Sequence, residues 1–226
     1  MKILLVTGAI VTGLSIFFEA LTLAFPPPTE DQELAENPFG AVIVLFVFLF
    51  AVLSVLIYIA TVVVFLMWLY RASDNLLAFN PWARPEYSPG WAVGWFFIPI
   101  ANLFMPFRVV KEVWQKSGPP EEDFVVAPSL PATFTVWWVF WLLASFSGNI
   151  SMRLSFNENV DESTATIVSI VAGTLSIIAA LFAYLVVDAI DDKQEETARK
   201  IKLGNFAEPP PPPSNLQMPD TLAPAP

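Results

Sequence analysis

Cysteine and histidine are both absent from the 226 residues. Their absence excludes disulfides, thiolate nucleophiles, zinc fingers, histidine-ligated haem and imidazole general bases. A metal site would have only carboxylates and carbonyls to use, which suits hard cations alone. No phosphate-binding glycine loop and no Gly-x-Ser-x-Gly elbow occurs. No catalytic, cofactor or metal site is therefore expected, and the chain reads as non-enzymatic. Charge is scarce as well, at 14% of residues, where a soluble domain carries about 25%. The net charge of -10 argues against a nucleic-acid partner. Much of it comes from two short acidic stretches: Glu30, Asp31, Glu33 and Glu36, then Glu158, Asp161 and Glu162.

What fills the chain instead is apolar sequence, 55% of the total. The run 3–25 is about 35 Å long as a helix, enough for a hydrocarbon core of about 30 Å. It reads as an anchor rather than a cleaved leader, because it is too long and lacks a small-x-small cleavage site. Pro26, Pro27 and Pro28 end it. The run 39–69 starts after Asn37-Pro38 and carries no charge, and its helix is expected to continue toward Asn80-Pro81. Two further runs, 132–150 and 165–187, are each long enough to cross. In the last, Ala165, Ser169 and Gly173 repeat every four residues, as do Ala172, Ser176 and Ala180, a spacing that lets helices approach closely in lipid. The expected fold is an all-α, polytopic transmembrane helical bundle of four spans, with the bilayer as its first partner.

The segment 90–105 differs. Pro99 divides it, Pro89 and Pro106 flank it, and neither half can cross alone. It is expected to be re-entrant or interfacial. The stretch 107–116 after it is amphipathic, with Leu103, Phe107, Val110 and Trp114 on one face and Arg108, Lys111, Glu112, Gln115 and Lys116 on the other. It is expected to lie on the membrane surface. The membrane domain is placed at 1–203. A proline-rich tail, 204–226, is expected to be extended and disordered.

With four spans and 90–105 not crossing, Lys2, the region 70–131 and the tail share one side. Ten of the eleven Lys and Arg residues then lie there, and Arg153 alone lies opposite. The positive-inside rule makes that side cytoplasmic and puts both termini in the cytoplasm. All eight tryptophans fall toward the same side.

The stretch from Arg71 to Lys116 contains Arg71-x-x-x-Asn75, then Ser88-Pro89-Gly90-Trp91-x-x-Gly94-Trp95. Ile98-Pro99-x-x-Asn102 follows, and then Pro106-Phe107-x-Val109-x-x-Glu112-x-Trp114. Together with Gln194 beyond the last span, this resembles the bacterial membrane family called domain of unknown function 4328. The resemblance covers about two-thirds of the chain. It implies a multi-pass protein of the bacterial inner membrane and implies no activity. It makes Arg71, Asn75, Pro89, Gly90, Trp91, Gly94, Trp95, Pro99, Asn102, Pro106, Glu112 and Trp114 the candidate functional positions. Glu19 is added on its own merits, as a carboxylate inside the first span, where a charge is costly and is usually paired or functional; Arg153 is its candidate partner.

The first reading is a non-enzymatic scaffold or regulatory membrane protein that meets a membrane or cytoplasmic partner through its aromatic-basic region, since the spans carry few polar residues. The alternative is a small transporter or channel component built on the broken segment and Glu19. A polar cavity at Asn102 would favour the second, and a sealed aromatic plug the first.

Overall fold

The computed structural model describes residues 1–24, 38–79, 85–118 and 129–202. Among the described residues the α-helices are, in order, α1 (Lys2–Ala24), α2 (Pro38–Phe79), α3 (Pro89–Gly94), α4 (Met105–Lys116), α5 (Ala132–Ser155) and α6 (Glu162–Lys202). No strand occurs among the described residues. The expectations for the first acidic stretch, for Trp82 and Arg84, and for the tail 204–226 lie outside the described residues.

Local sequence accounts for the boundaries. α2 continues through Arg71 and Asn75 to at least Phe79, the extent that the first proline after the apolar run, Pro81, allows. Asp161 caps α6: its Oδ2 accepts from the Thr164 backbone N–H at 2.9 Å and from Ser163 Oγ at 2.7 Å, satisfying amides that a helix start leaves open. Ser88 plays the same part for α3, accepting from the Trp91 N–H at 3.4 Å, with Pro89 in the first turn, where its missing N–H costs nothing.

The break in the third apolar segment is visible residue by residue. α3 tightens into a 3-10 turn over Trp95–Phe97, Ile98 turns extended (φ -99°, ψ 111°), and a second 3-10 turn spans Ala101–Leu103. Extended backbone at Ile98 is what the proline after it demands. The Asn102 N–H closes the turn onto the Ile98 carbonyl at 2.8 Å. α4 then starts with Pro106 in its first turn.

α6 is the central post, with α1 along one side and α5 along the other. Where α6 meets α1 the small-residue repeat is in use: a Cβ on Gly173 would come within 3.0 Å of Ile16 side-chain carbons. The end of the bundle holding Met1 and the C-terminal part of α6 is termed the base. There α2, α3, α4 and α5 converge, and Leu69, Val110, Phe134, Val187 and Ile190 have no exposed surface. Aromatic contacts knit the broken segment into this core: Phe96 meets Phe65 and Trp141, and Trp138 stacks on Trp141 with centroids 4.7 Å apart.

α4 departs from its expected role. Val109, Val110 and Val113 are at most 1% exposed, while Leu103 is 43% exposed. The buried face is thus centred on Val109 and Val113, and the helix is part of the core rather than a raft on a surface. The charged side chains that suggested a surface helix are accommodated at its edge, where Glu112 accepts from Lys116 Nζ at 2.7 Å and from the Glu86 backbone N–H.

α1, α2 and α6 are each long and apolar enough to cross a membrane. Large apolar side chains such as Phe46, Phe48, Leu56, Phe146, Ile167 and Leu181 stand exposed on the outside. So extensive an apolar exterior fits lipid rather than water.

Candidate functional site

Two constructions bring the sequence-selected residues together. The first is a polar clamp at the base. α6 emerges from its apolar stretch with Asp188, Asp191, Gln194 and Thr197, spaced by three and so forming a row that winds about half-way round the helix. Asp188 Oδ1 accepts from Lys2 Nζ at 2.6 Å, and Asp191 Oδ2 lies 3.5 Å from the same ammonium. Asp191 Oδ1 also accepts from Trp68 Nε1 at 2.7 Å. Gln194, 7% exposed, uses both ends of its amide. Its Oε1 accepts from Asn75 Nδ2 at 3.0 Å, and its Nε2 donates to the Ala72 carbonyl at 2.9 Å and to Ser117 Oγ at 3.0 Å. Thr197 Oγ1 donates to the Ser117 carbonyl at 2.8 Å. Lys193 Nζ donates to the Trp114 carbonyl and lies 4.6 Å from the centre of the Trp114 ring. The polar end of α6 thereby holds α1, α2 and α4 around it.

The second is a cavity of about 900 Å3 between α1, α2, α5 and α6. On α1 its wall runs from Met1 to Glu19, about 27 Å at helical rise. Asn102 lines it from the broken segment and Glu19 from α1. Asn102 Oδ1 is buried with no hydrogen-bond partner among the described residues. Glu19 Oε1 accepts from Ser169 Oγ at 3.1 Å, and Arg153 is exposed in the last turn of α5. A smaller cavity of about 580 Å3 at the top is lined by Glu19, Ser169, Glu158 and Glu162 among others.

The remaining sequence-selected positions divide by place. Asn75, Glu112 and Trp114 serve the base. Pro89, Pro99 and Pro106 set the path of the broken segment. Gly94 lets the Trp91 ring lie close, since a Cβ there would be 3.3 Å from it; Gly90 faces open space. Trp91 and Trp95 pack with centroids 4.8 Å apart. Arg71 is exposed on α2. Lys2, Trp68, Ser117, Asp188, Asp191 and Thr197 were not singled out from the sequence. The three-residue spacing of polar residues leaving the last apolar run was the available signal for those on α6. No group of three or more acidic residues among the described residues is arranged to hold a metal.

The architecture defines a helical protein with three helices capable of crossing a membrane, closed at one end by a polar clamp. Within that class the family is settled by residues 41–192, which match the family described as domain of unknown function (DUF4328). The chain belongs to that family. No curated protein and no solved structure matches it.

Proposed function

We propose that the chain is a four-span membrane protein, with both termini cytoplasmic, that binds a small molecule inside its bundle as part of a transport process. The carrying observation is the cleft itself, which has Asn102 near its base and Glu19 near its top. A sealed aromatic plug at the broken segment would have supported a passive scaffold. Two of the signature residues, Asn75 and Glu112, are engaged in contacts within the fold.

The fourth span is α5, 24 residues long and so about 36 Å. Its tryptophans and hydroxyl side chains make it less apolar than the other three. Trp137 and Trp138 are 3% and 7% exposed, so these residues meet protein rather than lipid. The basic residues at the base make that end cytoplasmic. Phe97 and Ile100, 71% and 75% exposed, are the part of the broken segment that dips into the inner leaflet.

The absence of cysteine gives a clean test. Single cysteines at Ser54, Ser145 and Ser176, all on the cleft wall, are expected to react with a small water-soluble thiol reagent in reconstituted protein. Cysteines at Leu143 and Phe146, exposed on the outside of α5, are expected to stay unreactive in lipid. Unreactive cleft positions would remove the binding reading and leave the scaffold.

A further inference from the structure

We propose that the occupant of the cleft is an amphipathic amine, its apolar body between the helices and its ammonium group at Glu19. This rests on the cleft being a binding site. Glu19 and Ser169 line both the cleft and the upper cavity, so they form the neck between the two. The charged side chains lining the two cavities have one sign. Glu158 and Glu162 line the upper cavity, and no Lys or Arg among the described residues lines either one.

The hydroxyls along the cleft point to the same chemistry. Ser15 donates to the Val11 carbonyl, Ser54 to Phe50, Thr61 to Ile57, Ser145 to Trp141 and Ser176 to Ala172, at 2.8–3.1 Å. Each hydroxyl proton is thus committed to its own helix, and what the oxygen can still offer is a lone pair. Those five hydroxyls accept further hydrogen bonds far more readily than they donate them. A carboxylate at one end and acceptors along the sides suit a cation with N–H donors and disfavour an anion. Between the hydroxyls, Ile16, Ile57, Phe65 and Trp141 suit an apolar body. Trp137 and Trp141 on the wall supply a signal.

The test uses the full chain in phosphatidylcholine nanodiscs, with tryptophan quenching by bromododecylamine and by its neutral counterpart bromododecanol. Both are expected to quench saturably, the amine at least about tenfold more tightly, as a partly desolvated charge pair would give. Glu19→Gln is expected to weaken the amine by the same factor and leave the alcohol unchanged. Unchanged alcohol binding shows that the variant is folded; if it were lost, Glu19→Asp, which keeps the carboxylate, is expected to retain the amine preference. Phosphatidylethanolamine in the disc competes if the natural amine is a lipid headgroup and does not if it is a free amphiphile; either result retains the amine. Equal affinities in the unaltered protein, or an amine preference that survives Glu19→Gln, would overturn the assignment while the cleft reading stands. No saturable quenching by either compound would overturn both.

Discussion

Asn75 and Gln194 lie 119 residues apart in the chain, and Asn75 Nδ2 donates to Gln194 Oε1 at 3.0 Å. The contact joins the end of α2 to the part of α6 beyond its apolar stretch, and Gln194 Nε2 extends it to α4 through Ser117. Replacing Gln194 by Leu keeps most of the volume and leaves the buried Ala72 carbonyl and Ser117 Oγ without their donor. A loss of about 1–3 kcal/mol is expected, read as a lower Tm in detergent. Asn75→Ala combined with Gln194→Leu should cost less than the sum of the two. Strict additivity would mean that the pair does not act as one unit.

Gly173 and Gly148 make a matched comparison. A Cβ on Gly173 would sit 3.0 Å from Ile16 side-chain carbons, tighter than ordinary contact, while nothing lies within 4 Å of the Cβ position on Gly148. Gly173→Val is expected to destabilise by about 1–3 kcal/mol through overpacking. Gly148→Ala should be neutral or slightly stabilising, because alanine favours helix over glycine. Equal effects in thermal melts would contradict the close approach of α1 and α6.

Asp161 carries the clearest pH signature outside the spans. Hydrogen bonds from Ser163 Oγ, the Thr164 N–H and Thr164 Oγ1 lower its pKa from 3.8 to about 2. A carboxylate whose folded pKa is depressed stabilises the fold above its ordinary pKa and loses that contribution as pH falls through the folded value. The start of α6 should therefore hold at pH 5 and fray as pH falls from 3.8 toward about 2. Amide exchange at Ser163 and Thr164 would show this. Asp161→Asn should remove the pH dependence; an unchanged profile in that variant would assign it elsewhere.

Sidedness can be read with two cysteines in intact cells. One at Asn159 is expected to react with an impermeant reagent from outside, and one at Lys111, exposed on α4, only after permeabilisation. Lipid-depth quenching separates a dipping broken segment from a flat one. A nitroxide at Ile100 should report greater depth than one at Lys111, and equal shallow depth would leave the segment at the surface.

Helix positions were legible in the sequence because uninterrupted apolar runs and prolines leave few alternatives. The run 3–25 became Lys2–Ala24, and the extension of α2 to Phe79 followed from Asn80-Pro81. The course of 90–105 was legible for the same reason, since Ile98 had to be extended before Pro99. The role of α4 was not. An amphipathic pattern marks which residues avoid water but cannot say whether lipid or protein covers them, and here protein does. The clamp was half legible. Asn75 and Gln194 stood out separately, yet their pairing depends on how two long helices cross, which no local pattern encodes. Of the cleft only two lining residues, Asn102 and Glu19, stood out in the sequence; its shape did not, because a cavity exists only where four helices fail to fill the space between them.

The fit of Gly173 against Ile16 bears on how that space could change. α1 and α6 are locked together one helical turn below the Glu19–Ser169 neck, and α6 is packed along α5 on its other side. Those three helices pack as one group. α2 meets the others at the base through Trp68 and Asn75, while its Phe48, Leu49, Leu53 and Leu56 are exposed. On the transport reading, α2 is the helix whose displacement would admit an occupant from the side, and that side would face the bilayer.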